Sequence, residues 1–161
     1  RRSESIMSTD EYRPVKIFTV KEANATLPLV RAIAGDLAQL SQEVMDRRAR
    51  LAHLLGDRQP TAGDLYSEEL AQIEEELQKD TRRLQEYVDE LRHLGVEPKG
   101  GPEGLVDFPS LMDGRLVYLC WKLDESEVVH WHELDAGFGG RQSLTAGSIA
   151  DEGGDGGLFD S

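Results

Sequence analysis

Two stretches of this chain repeat apolar residues at alternating spacings of three and four, and few folds satisfy both at once. Val30, Ile33, Leu37, Leu40, Val44, Leu51 and Leu54 form the first run, interrupted only by Arg47. Leu70, Ile73, Leu77, Leu84, Tyr87, Leu91 and Leu94 form the second, interrupted only by Asp80. This spacing keeps one stripe of a helix apolar along its length, so each run predicts a long helix with a coiled-coil-like seam. The stretch between them carries Gly56, Pro60 and Gly63 and predicts a loop, while Gly95 and Pro98 stop the second helix. A short loop makes the helices antiparallel neighbours, giving a helical hairpin over about 27–94, with Leu54 against Leu70 and Leu40 near Leu84.

In that register Arg47 meets Leu77 and Asp80 meets Val44, so the two polar exceptions fall one layer apart. They either pair and fix the register or both reach out to solvent along their aliphatic stems. The charge balance suits the pairing of the helices: Leu27 to Leu55 holds four arginines against three acidic residues, and Ser67 to Leu94 holds four basic against nine acidic residues. Further upstream, Thr19 and Glu22 are spaced as a capping box and Phe18 precedes them as a staple, which starts a helix near Val20. Pro28 removes a backbone donor and crowds the carbonyl four residues earlier, so a break near Thr26 is expected, with Pro28 opening a second helix.

The C-terminal part changes period. Leu105 to Phe108, Leu116 to Leu123 and Val128 to Leu134 are short runs rich in β-branched and aromatic residues, and they predict a three-stranded antiparallel meander over about 104–135. A compact turn around Glu125-Ser126 sets Leu119 opposite His132, Trp121 opposite His130, Cys120 opposite Trp131 and Tyr118 opposite Glu133. One sheet face then carries Val117, Leu119, Trp121, His130 and His132, and the other carries Tyr118, Cys120, Trp131 and Glu133. The fold class is α+β, a long hairpin followed by a small meander.

A length of 161 residues allows one domain, placed at 15–142. Residues 1–14 lack apolar periodicity, and Met7 followed by Ser8-Thr9-Asp10 reads as a natural start preceded by extra residues. Residues 143–161 hold five glycines and four acidic residues with no Lys or Arg, an acidic, Gly-rich tail expected to be disordered. No apolar run reaches the ~20 residues that span a bilayer, and the start lacks the order of a secretory signal, so no membrane association and a cytoplasmic location are expected. The formal charge of -13 argues against a nucleic-acid groove.

Several short motifs are specific: Phe18-Thr19 with Glu22-Ala23-Asn24 and Leu27-Pro28, then Gly104-Leu105-Val106-Asp107-Phe108-Pro109, then Leu119-Cys120-Trp121. Trp131-His132-Glu133 follows, leading through Gly137-Phe138 to Arg141-Gln142. Together they resemble the bacterial family known as domain of unknown function 2203, over nearly all of 15–142. The resemblance implies a shared fold and no assigned activity.

Two function classes follow from the side chains. In the first, the chain is a binding or interaction module: the hairpin supports a homodimer, because one helical seam and one small sheet leave apolar surface uncovered. Trp131, His132, Glu133, Asp135, Phe138 and Arg141 would then converge at the strand end to hold a small anion or a protein partner. Their convergence requires the Gly137–Gly140 loop to fold back, because strand alternation sends His132 to the opposite face from Trp131 and Glu133. In the second class, a metal-dependent, hydrolase-like enzyme, His130 and His132 deliver two imidazoles from one strand face to zinc or iron with Asp135. Asp107 looks too remote for that site, because two strand spacings, roughly 10 Å, separate its strand from that of His132. The plain alternative stacks His130 on Trp121 and leaves His132 a satisfied imidazole, with Cys120 an inert packed thiol.

Overall fold

The computed structural model describes Pro14 and residues 16–57 and 65–144. Expectations about residues 1–13, the domain boundary at 15, the loop joining the helices and 145–161 fall outside the described residues. Helix α1 runs Val20–Asp57 and α2 runs Leu65–His93. Five strands follow, β1 Glu97–Gly100, β2 Leu105–Met112, β3 Arg115–Trp121, β4 His130–Glu133 and β5 Gln142–Ser143, in the order β1-β2-β3-β4-β5. Every pairing is antiparallel.

The start of α1 is the capping box read from the sequence: the Glu22 amide donates to Thr19 Oγ1 at 3.0 Å and the Thr19 amide donates to Glu22 Oε1 at 3.1 Å. The expected break at Pro28 does not occur, and α1 passes through it. Interior proline costs a helix about 3 kcal/mol. Here Ala23 and Leu27 before it and Val30, Ala34 and Leu37 after it are buried in one cluster with sheet residues, while Pro28 itself is exposed. Packing on both sides of the proline outweighs the lost backbone bond.

The hairpin is antiparallel. Arg47 pairs with Asp80 and, at 3.3 Å, with Glu76; Arg50 pairs with Glu69; the Tyr66 hydroxyl donates to the Leu54 carbonyl. Partner numbers fall as α1 numbers rise, and the two polar exceptions in the heptads do form an ion pair. Toward the connecting loop Leu40, Val44, Leu70 and Ile73 stay buried outside the cluster that contains the sheet residues.

Among the described residues the sheet has two strands more than the expected meander. Glu-Pro-Lys-Gly has little strand propensity, yet as an edge strand β1 tolerates Pro98, and it bulges between Pro98 and Gly100. Strand β5 places Ser143 in the sheet, and the Leu144 amide donates to the Val129 carbonyl at 2.9 Å, so the ordered part runs past the expected boundary at Gln142. Strand β2 also extends beyond the expected end at Phe108, through Pro109 and on to Met112. The Pro109 carbonyl points away from β3 and accepts from the Phe18 amide at 2.7 Å, so the missing N–H of proline faces the sheet edge and costs no bond to β3. Asp113 and Gly114, both at positive φ, then make the two-residue hairpin turn.

The expected register of β3 against β4 is off by one. Tyr118 faces His132, Leu119 faces Trp131 and Cys120 faces His130. The expectation assumed a tight turn at Glu125-Ser126. Instead 122–129 is an irregular loop held from within and by α1: the Lys122 amide donates to Glu125 Oε1 at 3.1 Å, Trp121 Nε1 donates to the Glu125 carbonyl at 2.9 Å, and Arg31 donates to the Glu125 and Ser126 carbonyls. Burial of Trp131 with Val117, Leu119 and Trp121 against the helices sets the register, and a one-residue slip turns the whole of β4 over.

Candidate metal centre

Strand alternation builds a polar cluster on the sheet face opposite the helices. Val106 and Phe108 take the core face of β2, so Asp107 takes the other; Leu119 and Trp121 do the same for Cys120 on β3. Asp107 and Cys120 are directly paired across the two strands. His132 on β4 lies diagonally beyond Cys120, and its ring reaches over that small side chain to Asp107: Nε2 is 3.1 Å from Oδ1 and 3.2 Å from Oδ2. Asp107 and Cys120 are 1% exposed and His132 is 2% exposed. Sequence reasoning excluded Asp107 on backbone spacing and overlooked that two side chains reaching toward each other close the gap.

The protonation of the cluster follows from its partners. His132 Nδ1 lies 2.7 Å from the Glu133 carbonyl, which accepts only, so Nδ1 carries a proton. Nε2 faces a carboxylate, and a proton must lie between the two groups whichever one holds it. The pair is therefore neutral overall, as burial demands. Burial raises the Asp107 pKa, opposed by the neighbouring His132, by the hydrogen bond to it, by Lys99 and by the Cys120 thiol. Burial, followed by the negative field of Asp107, pushes the Cys120 thiol up to about 11, with Arg141 opposing. A thiol held there is no nucleophile at neutral pH.

A second set of contacts closes the cluster. Arg141 Nη2 donates to Glu125 Oε1 at 2.7 Å and to the Cys120 carbonyl at 3.4 Å, with the guanidinium 4.7 Å from the centre of the Phe138 ring. Burial opposes the charge on Glu125, but the bonds from Arg141 and the Lys122 amide together outweigh it and hold its carboxyl below the usual range. His130 Nδ1 stands 3.6 Å from Glu125 Oε2.

The residues expected around one cleft are thus divided between faces. Trp131 is in the core with Arg115 5.8 Å from its ring, and Glu133 accepts from Arg115 at 2.7 and 3.3 Å. His132, Phe138 and Arg141 belong to the polar cluster or its edge, and Asp135 is exposed beyond the end of β4. His130 and His132 do share a face, but Trp121 lies on the other one, with Arg31 5.1 Å from its ring, so His130 does not stack on it. Among the described residues the group with metal-ligand geometry is Asp107, Cys120 and His132, whose ligand atoms all lie within 4.8 Å of one another. Asp107 and Cys120, rather than the expected His130 and Asp135, lie with His132 in that group. The signal for them was available: a lone carboxylate between Val106 and Phe108 and a thiol between Leu119 and Trp121.

No helix among the described residues is long and apolar enough to cross a membrane. No curated protein and no solved structure gives a significant match to the chain. Residues 16–144 match the family described as Uncharacterized conserved protein (DUF2203), and the chain belongs to that family.

Proposed function

We propose that this protein is a binding module for a divalent transition metal ion, zinc fitting best, held by Asp107, Cys120 and His132. One observation carries the reading: a carboxylate, a thiol and an imidazole from three adjacent strands, all buried, with their ligand atoms within 4.8 Å of one another. Tetrahedral zinc with bonds of ~2.0–2.3 Å separates its ligands by roughly 3.4–3.8 Å, so the wider separations need close by no more than about 1 Å while the 3.1 Å His132–Asp107 contact opens slightly. His132 is already oriented for the task, because its Nδ1–H is fixed on the Glu133 carbonyl and Nε2 is the nitrogen left to bind. A thiolate, a carboxylate and a neutral imidazole cancel the charge of a divalent ion, which suits a site this buried.

Three protein ligands leave one tetrahedral position to be filled from outside the triad, and burial to 1–2% exposure keeps bulk solvent away from it, which supports a structural or regulatory ion over hydrolysis. A cytoplasmic setting, which keeps Cys120 reduced, belongs with this proposal. So does self-association through the part of the hairpin beyond the sheet cluster, where Met45 and Leu55 are exposed large apolar residues. An anion or protein partner at Arg141 has less support, because Glu125 already neutralises that guanidinium, although its Nε is left buried without a hydrogen-bond partner.

Elemental analysis of purified protein, as isolated and after dialysis against zinc, tests the reading. About one ion per chain is expected, lost in Cys120→Ser and His132→Gln and retained in His130→Gln. Failure of the folded protein to take up zinc would overturn it.

A further inference from the structure

The groove between α1 and α2 near their sheet-bound ends has an unusual pairing of surfaces. On the α1 side it is apolar: Leu29 and Ile33 stand one turn apart, and Leu29 is 51% exposed although it is a leucine in mid-helix. On the α2 side Glu86, Asp89, Glu90 and His93 fall at the spacing of one helical face, with Leu94 closing the end. Among the described residues, no Lys or Arg forms an ion pair with Glu86 or Glu90. The cavity is about 400 Å³.

We propose that this groove docks a helix from a protein partner, one with an apolar stripe flanked by Lys or Arg. Leu29, Ile33 and Leu94 receive the stripe, and Glu86, Asp89 and Glu90 face the cations, the arrangement by which grooves read amphipathic helices. Charge complementarity selects this occupant. A second copy placed groove to groove would set the three carboxylates either against their own copies or against Leu29 and Ile33, depending on the direction of the two-fold axis, and a chain of net charge -13 offers no compensating basic surface on average. The acidic segment 145–161 is disfavoured for the same reason. The site lies on the helices and is independent of the metal reading.

The test uses the full chain and a fluorescently labelled peptide with leucines at helical i, i+3, i+4, i+7 positions and lysines beside them. Anisotropy at physiological salt should show saturable one-to-one binding. Glu86→Lys combined with Glu90→Lys, Leu29→Ser alone, and a peptide with serine in place of leucine should each weaken it by at least about tenfold. Leu29 is exposed enough that its serine variant keeps the fold, which circular dichroism checks. Absence of binding overturns the proposal. So does binding untouched by Leu29→Ser or by the serine peptide, which would mark simple charge attraction, and so does a chain that sediments as a dimer alone and as a monomer with saturating peptide, which would mark a second copy as the occupant.

Discussion

Replacing Asp107 in the metal-free protein isolates the proton shared with His132. The His132 ring is 2% exposed, its Nδ1–H is committed to the Glu133 carbonyl, and its Nε2 has Asp107 as its side-chain partner. Asp107→Ala removes that partner and leaves a buried nitrogen unsatisfied, which costs about 1–3 kcal/mol. The small void left by the carboxyl group brings the total to roughly 2–4 kcal/mol. Asp107→Asn behaves differently. Its amide N–H donates to Nε2 of a neutral imidazole while Nδ1–H stays in place, so a loss below about 1 kcal/mol is expected. Urea unfolding with a chelator present, at neutral pH, reads both changes as shifts in midpoint at constant slope. If Asp107→Asn proves as costly as Asp107→Ala, the pair depends on a full carboxylate charge opposite imidazolium. If neither variant loses stability, the cluster is not held together as described.

Three further outcomes follow. Zinc uptake at neutral pH should release about two protons per ion, one from the Cys120 thiol at about 11 and one shared by His132 and Asp107, read from the buffer dependence of the calorimetric enthalpy; one proton would remove Cys120 from the ligand set. Arg47→Asp should destabilise the hairpin by about 1–3 kcal/mol, discounted for the partial exposure of Arg47, and adding Asp80→Arg should recover much of it; no recovery would show that the two charges do not interact. Because Glu125 has a depressed pKa in the fold, the folded state binds fewer protons than the unfolded chain there. Its stabilisation is present above the ordinary glutamate value and is lost as pH falls through the folded value, so Glu125→Gln should flatten the acid limb of stability against pH, and an unchanged limb would contradict that assignment.

The hairpin was legible because its signal is redundant. Heptads, stop residues and the Arg47–Asp80 coincidence all gave one register, and tertiary contacts did not have to override any of them. Pro28 was misread because the local rule is right about cost and silent about the packing of Leu27 and Val30 on either side. Strands β1 and β5 carry almost no strand propensity and exist because β2 and β4 offer edges to pair with. The polar cluster was misread at two points, the reach of Asp107 toward His132 and the register of β4. A compact turn was assumed where Glu125 organises a longer loop, and the one-residue slip moved His132 away from Cys120 on paper. Parity between strands decides which side chains meet, and a sequence fixes parity only where the turn is tight.

Cobalt titration tests the central claim most directly, because a thiolate bound to Co²⁺ gives a near-ultraviolet charge-transfer band that carboxylate and imidazole ligands lack. The account predicts that the band saturates at about one ion per chain, that Cys120→Ser abolishes it, that His132→Gln and Asp107→Ala weaken cobalt binding, and that His130→Gln leaves it unchanged. A folded protein that takes up cobalt without the band, or whose band survives loss of His132 and Asp107, would contradict a centre built from Asp107, Cys120 and His132.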